Sequence, residues 1–106
     1  MAVVSEVQYV AISQSATATV VAALATGKIR VVSLVLVNTT ALSVVFKSGA
    51  GGTALTGAMP LGALGQLVLP FNTRGWFETA AATLLELSQS AGTLITGVLG
   101  YVQVDN

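Results

Sequence analysis

Apolar and polar residues alternate along most of the chain with a period of two, the pattern of half-buried β-strands. The pattern predicts strands at residues 3–12, 17–24, 42–48, 66–71, 83–90 and 93–104, and β-branched residues on both parities predict a further strand at 28–38. Turn signals separate them at a spacing of about 8 to 12 residues, which is typical of sandwiches and barrels. We therefore predict an all-β fold: a single-domain antiparallel β-sandwich over residues 1–106, with about seven to nine strands and a jelly-roll connection as one option.

Three of the predicted strands indicate which side chains share a face. In residues 83–90, Leu85 and Leu87 are expected to point inward, with Glu86 and Ser88 outward. In residues 93–104, two glycines, at positions 97 and 100, allow a bulge or the close approach of a neighbouring backbone. In residues 3–12, one face carries Val3, Val7, Tyr9 and Ala11, and the other carries Glu6 and Gln8.

Residues 28–38 (KIRVVSLVLVN) carry apolar side chains on both faces of the predicted strand. Only one face of a strand in a two-layer sandwich meets the core. The other face is therefore a candidate contact surface with a neighbouring subunit or another layer. A short connection leads directly into residues 42–48, which predicts that residues 28–48 form a β-hairpin.

Residues 78–87 leave two secondary structures open. Their Ala and Leu content favours a short helix by propensity. We prefer a strand, because Thr79 and Thr83 flank the segment and polar residues fall at every second position.

The composition indicates a protein that associates with other protein. Charged residues make up 8% of the chain and apolar residues 54%, with a mean hydropathy of +0.85, whereas soluble domains are about 25% charged. The uninterrupted apolar runs are far shorter than the roughly 20 residues that a membrane-spanning helix needs, so we expect no membrane span. We therefore expect the apolar surface to be buried against other protein, through oligomerisation or docking on a larger assembly.

The reactive side chains argue against catalysis, metal binding and nucleic-acid binding. The chain has no His and no Cys, which removes the usual general base, thiol nucleophile and zinc ligands. Four basic and four acidic residues are scattered without a basic stripe, so phosphate binding is not expected. The acids Glu78 and Glu86 are eight positions apart, and we interpret both as solvated rather than as a catalytic pair. We expect no enzyme activity and no cofactor.

The most distinctive segment surrounds the single Trp of the chain. Its candidate interface residues are Asn72, Arg74, Trp76, Phe77 and Glu78. Trp and Arg often dominate interfaces, because each buries a large area and keeps a polar end satisfied. In the alternative interpretation, one aromatic plugs the end of the sandwich and the Arg pairs locally with the Glu. Adjacent aromatics in a strand point to opposite faces, so one of the two is expected in the core.

Several short motifs resemble a family of small structural proteins of tailed bacteriophages and prophages. They are ATGKIRV at residues 25–31, VxFKSG at 44–49, LTGxMxL at 55–61, PFN at 70–72 and GWFET at 75–79. The resemblance covers most of residues 25–104, and GWFET is its most distinctive part.

The resemblance implies a virion protein that decorates the head, also called a cement protein. Such a protein would be made in the host cytoplasm, form homotrimers, and bind the major capsid protein or other virion proteins at the head surface. A tail, baseplate or fibre location is the first alternative. A carbohydrate-binding module that stacks sugar on Trp76, beside Asn72 and Glu78, is the second.

Overall fold

A computed structural model describes residues 3–4 and 6–105. This part of the chain contains eleven strands and no helix. Their bounds are β1 Val3–Val4, β2 Gln8–Gln14, β3 Ala18–Val21, β4 Lys28–Asn38, β5 Leu42–Ser48, β6 Thr53–Ala54, β7 Met59–Leu61, β8 Gln66–Leu69, β9 Phe77–Glu78, β10 Leu85–Gln89 and β11 Ile95–Asp105. Seven of these have four residues or more, which agrees with the predicted strand number. Residues 79–84 form a turn rather than the predicted continuation of a strand.

The strands form two antiparallel sheets that pack on each other, which confirms the predicted sandwich. The larger sheet has the order β1-β11-β4-β8, with β2 also paired to β11 and β9 to β4. The smaller sheet has the order β3-β10-β5-β6, with β7 also paired to β5. If the short neighbours are merged into eight positions along the chain, the two sheets have the orders 1-8-3-6 and 2-7-4-5. This is the strand order of a jelly roll.

The predicted hairpin at residues 28–48 is wrong. Strand β4 pairs with β11, β8 and β9 in the larger sheet, whereas β5 pairs with β10, β6 and β7 in the smaller one. The connection crosses between the layers, and the buried Asn38 side chain donates hydrogen bonds to the carbonyls of Thr40 and Gly62, both at 2.8 Å. These bonds hold the connection in place as an arch, because they tie Asn38 to the turn after β4 and to the loop after β7.

One hydrophobic core fills the space between the sheets. Phe46 of β5 is fully buried, and its ring centroid lies 5.0 Å from that of Phe77 in β9. Leu85 and Leu87 of β10 point inward as predicted. Further buried side chains from both sheets are Ile29, Val31, Leu34, Leu36, Val44, Ile95 and Leu99.

Strand β4 changes its inward parity at a bulge. The ladder with β11 shifts so that Gly100 pairs with Ser33 and Tyr101 pairs with Val31, which leaves Val32 without a directly opposite residue. The side chain of Val32 is not part of the main core. It packs with Val7, Val102 and Val104 in a small second cluster. The apolar residues on both parities of β4 therefore serve two different clusters, and the rest of the outer parity stays exposed.

The face predicted for the first strand is also reversed. In β2 the inward side chains are Val10 and Ile12, which pack in or against the core, whereas Tyr9 and Ala11 are exposed. Apolar residues occupy both parities of this segment, so alternation alone could not select the buried face. The side chain of Val3, assigned to the same face, lies outside the described residues.

Candidate interaction surface

The outer face of the larger sheet is apolar at its centre. Ala11 of β2, Val98 of β11, Val35 of β4 and Val68 of β8 are directly opposite one another and form one row across four strands. All four side chains are exposed, and Val68 retains 52% of its accessible surface. This row of one Ala and three Val side chains is a flat, water-exposed apolar stripe.

The rows on either side extend this stripe without adding charge. One neighbouring row consists of Ser13, Thr96, Val37 and Gln66, and the other of Tyr9, Gly100 and Ser33. Tyr9 is 67% exposed, and its ring lies over Gly100, where an added Cβ would come within 3.0 Å of the ring. We call these three rows the apolar face.

The outer face of the smaller sheet differs in chemistry. Its central positions include a charged pair, since Glu86 lies directly opposite Lys47, and next to this pair Ser88 lies directly opposite Val45. The two outer faces of the sandwich are therefore unequal: the larger sheet carries its charged side chains Lys28, Arg30 and Glu78 at one end, and the three rows of the apolar face carry no charge.

The structure separates the two aromatics of the predicted interface as expected. Phe77 points into the sandwich and packs against the core, whereas Trp76 is 43% exposed. The Trp76 indole Nε1 donates a 2.9 Å hydrogen bond to the Pro70 carbonyl, and the Asn72 Oδ1 accepts one from the Arg74 backbone amide. These bonds form a compact loop at the edge of β4, between β8 and β9.

The local pair between Arg74 and Glu78, which belonged to the alternative interpretation of this segment, does not form, because Glu78 pairs elsewhere. Glu78 lies directly opposite Arg30 in the β4–β9 ladder and accepts a 3.1 Å hydrogen bond from the Arg30 Nε. The Lys28 Nζ lies 3.5 Å from the other carboxylate oxygen. Both cations come from β4, so the partners are distant in sequence, and this ionic cluster marks one end of the larger sheet.

We expect Glu78→Gln to lower the free energy of unfolding by at most about 1 kcal/mol, since partly exposed ion pairs contribute little. The loss should shrink as salt is added. Chemical denaturation at low and high ionic strength measures both effects. Arg74→Ala is the matched control and should leave stability unchanged. If Arg74→Ala lowered the free energy of unfolding as much as Glu78→Gln, the result would instead support a local ion pair between Arg74 and Glu78.

Glu86 is not solvated, contrary to the sequence prediction. Its outward side chain is 7% exposed because the glycine-rich tip at residues 49–52 folds over it, and its Oε1 accepts a 3.2 Å hydrogen bond from the Gly51 amide. The side chain of Glu86 points outward as predicted. A loop shields it from water, and the alternation of apolar and polar residues does not indicate where that loop lies.

An exposed Trp beside a polar loop is one requirement of the carbohydrate-binding alternative. The groups that would hold a sugar are engaged internally here: Glu78 with two cations, Asn72 with the Arg74 amide and the Trp76 indole nitrogen with a carbonyl. The apolar face is the larger and less engaged surface.

Within residues 3–4 and 6–105, no three metal-ligating side chains cluster, and no helix is long and apolar enough to cross a bilayer. Comparison with known proteins gives no relative: no protein family, no curated protein and no solved structure matches the chain significantly. The geometry therefore defines a jelly-roll sandwich whose larger sheet carries an uncharged, largely apolar region at the centre of its outer face.

Proposed function

We propose that this chain is a structural protein of a bacteriophage virion, a decoration protein that assembles as a homo-oligomer and docks on the capsid. The observation that supports docking is the apolar face, an exposed and uncharged surface across four strands of the larger sheet. The phage setting is supported by the sequence motifs at residues 25–79.

The size of the apolar face suits a contact that is repeated many times. Four strands about 4.8 Å apart and three rows about 6.8 Å apart give a projected area of roughly 300–400 Å². A stable isolated interface needs about 800 Å² per partner. One such contact is therefore weak, but copies fixed on a symmetric shell act together through multivalency.

Docking through this face replaces water on apolar side chains with protein. At about 25 cal/mol per Å² of apolar area, roughly 8–10 kcal/mol is an upper bound for this face before the cost of association is subtracted, because Ser13, Thr96, Gln66 and Ser33 contribute polar surface to it. Because the face carries no charge, its binding should depend little on salt.

Binding of the purified chain to expanded, undecorated phage heads tests this proposal. Wild type should co-sediment with the heads, and Val98→Lys should lose at least about tenfold in affinity, because it places a charge at the centre of the apolar face. The matched control is Val45→Lys on the outer face of the smaller sheet, which should bind like wild type. Both substitutions lie on outward positions, so unfolding midpoints should stay close to that of wild type.

Equal binding by wild type and Val98→Lys would contradict docking through the apolar face. Binding to purified tails but not to heads would favour the tail alternative. Glycan binding that is lost in Trp76→Ala would favour the carbohydrate alternative.

A further inference from the structure

The edge strand β2 has none of the usual protections of a sheet edge. Among the described residues it pairs only with β11, through seven consecutive residue pairs without a register shift. Its sequence QYVAISQ contains no charge, no Pro and no Gly. Natural proteins blunt exposed edges with charges, prolines, bulges or short strands, because unpaired backbone groups otherwise recruit another strand.

The other edges of the sandwich carry these protections. Strand β8 has four residues and is followed by Pro70, and β7 contains Pro60 in three residues. Strand β3 has four residues, and its ladder with β10 contains a register shift. The open edge is therefore specific to β2.

The sequence of β2 is nearly symmetric about its centre, Ala11. In an antiparallel pair of two β2 strands centred there, Val10 would face Ile12 of the second copy, Gln8 would face Gln14, and Ala11 would face Ala11. The Val–Ile, Gln–Gln and Ala–Ala pairs place like side chains opposite each other, Tyr9 would face Ser13, and no pair brings like charges together. The edge is thus complementary to itself, as a two-fold contact requires.

We propose that two copies of the chain associate edge to edge through β2, in antiparallel register about Ala11, so that the two larger sheets become one continuous sheet. Backbone hydrogen bonds supply the contact, as in other cases of strand addition. This contact closes after two copies, in contrast to the trimer that the resemblance implies. The pairing itself does not depend on the proposed capsid docking.

The pairing has a consequence for the apolar face. Residues directly opposite each other in an antiparallel ladder point to the same side of the sheet. The apolar faces of the two copies therefore join, and their combined projected area of roughly 600–800 Å² approaches the area of a standard interface per partner.

An open pocket lies at the same edge, between β2 and β3. Its volume is about 110 Å³, and it is lined by residues 11–14 of β2 and 18–20 of β3. A second copy placed against β2 would therefore lie beside this pocket.

Disulfide trapping tests the contact directly, since the chain has no native Cys. Two directly opposite residues lie about 4.5–5.5 Å apart at Cα, within the range of a disulfide. Ala11→Cys should therefore form a covalent dimer under mild oxidation. Val98→Cys is the matched control: it lies in the same row but one strand inward, so its copies would be about 14 Å apart and should not cross-link.

A charge-swap experiment separates this contact from docking. Ala11→Lys and Ala11→Glu should each weaken dimerisation by about tenfold or more, and an equimolar mixture should restore it as a heterodimer. Val98→Lys should remain dimeric even though it is expected to lose head binding. Circular dichroism of each variant should match that of wild type.

Light scattering of the wild type at micromolar concentration should give twice the 10.7 kDa chain mass. A monomer, a trimer, or cross-linking of Val98→Cys as fast as that of Ala11→Cys would overturn the edge contact. Dimerisation without head binding would retain the edge contact and refute the docking proposal.

Discussion

Replacing Gly97 by Ala is expected to lower the free energy of unfolding by about 3 kcal/mol or more. Gly97 lies at the centre of the larger sheet, between Ile12 of β2 and Leu36 of β4. A Cβ added there would lie 1.8 Å from the Val35 carbonyl oxygen and 3.1 Å from the Leu36 Cα. These atoms belong to the backbone, so no side-chain rotation relieves the clash.

The backbone conformation adds to the cost, because φ at Gly97 is +157°, a region that residues with a Cβ rarely adopt. Strands β4 and β11 must therefore separate or shift. The measurement is denaturant unfolding of the purified variant. Domains are stable by only about 5–15 kcal/mol. If Gly97→Ala gave no soluble protein on expression, the same loss of stability would explain it.

Gly57→Ala is the control for the Gly97 prediction. An added Cβ at Gly57 has no heavy atom within 4 Å, and its φ lies outside the left-handed region. The same chemical change should therefore alter stability by no more than about 0.5 kcal/mol. Equal losses in the two variants would show that a general glycine effect, rather than the contact with Val35, determines the result.

Two pairs of residues explain why the fold class could be predicted from the sequence. Leu85 and Leu87 are two positions apart and both point inward, as the period of two requires. Trp76 and Phe77 are adjacent, and one is exposed while the other packs against the core. Alternation is a local property, and a strand whose polar residues all fall on one parity has only one face to bury. The glycines of the last strand were also informative, since one meets the Val35 backbone and the other borders a bulge.

The incorrect predictions share a physical cause: the local sequence pattern does not determine which distant segments pair with each other. Arg74 and Arg30 are equally basic, but only Arg30 lies opposite Glu78 in a ladder. The sequence predicts a solvated Glu86, but in the structure the glycine-rich tip covers this side chain. The predicted hairpin failed because a short polar connection can join two strands of one sheet or arch between two sheets.

The candidate site was predicted only in outline for the same reason. The extra apolar parity of residues 28–38 indicated a contact surface, and Val35 and Val37 are indeed exposed on the apolar face. Tyr9, Val68 and Val98 belong to the same face. They join it through the register of three separate ladders, which no sequence motif signals.

Truncation of the central core aromatic, Phe46→Ala, is expected to cost about 3–5 kcal/mol. Phe46 has no accessible surface and packs against the Phe77 ring. Removing it leaves a cavity between the sheets that the jelly-roll connections prevent from closing fully, and the aromatic pair is lost as well. Phe46→Leu, which keeps most of the volume, should lose clearly less.

Phe71→Ala is the matched control, because the same atoms are removed from a side chain that is 55% exposed. Its effect on unfolding should stay within about 0.5 kcal/mol. Thermal and denaturant unfolding of the three variants would rank them Phe46→Ala, Phe46→Leu and Phe71→Ala, from largest loss to smallest. If Phe71→Ala were as damaging as Phe46→Ala, the core would have to extend to the loop after β8, and Phe71 would have to be buried by a partner or a second copy.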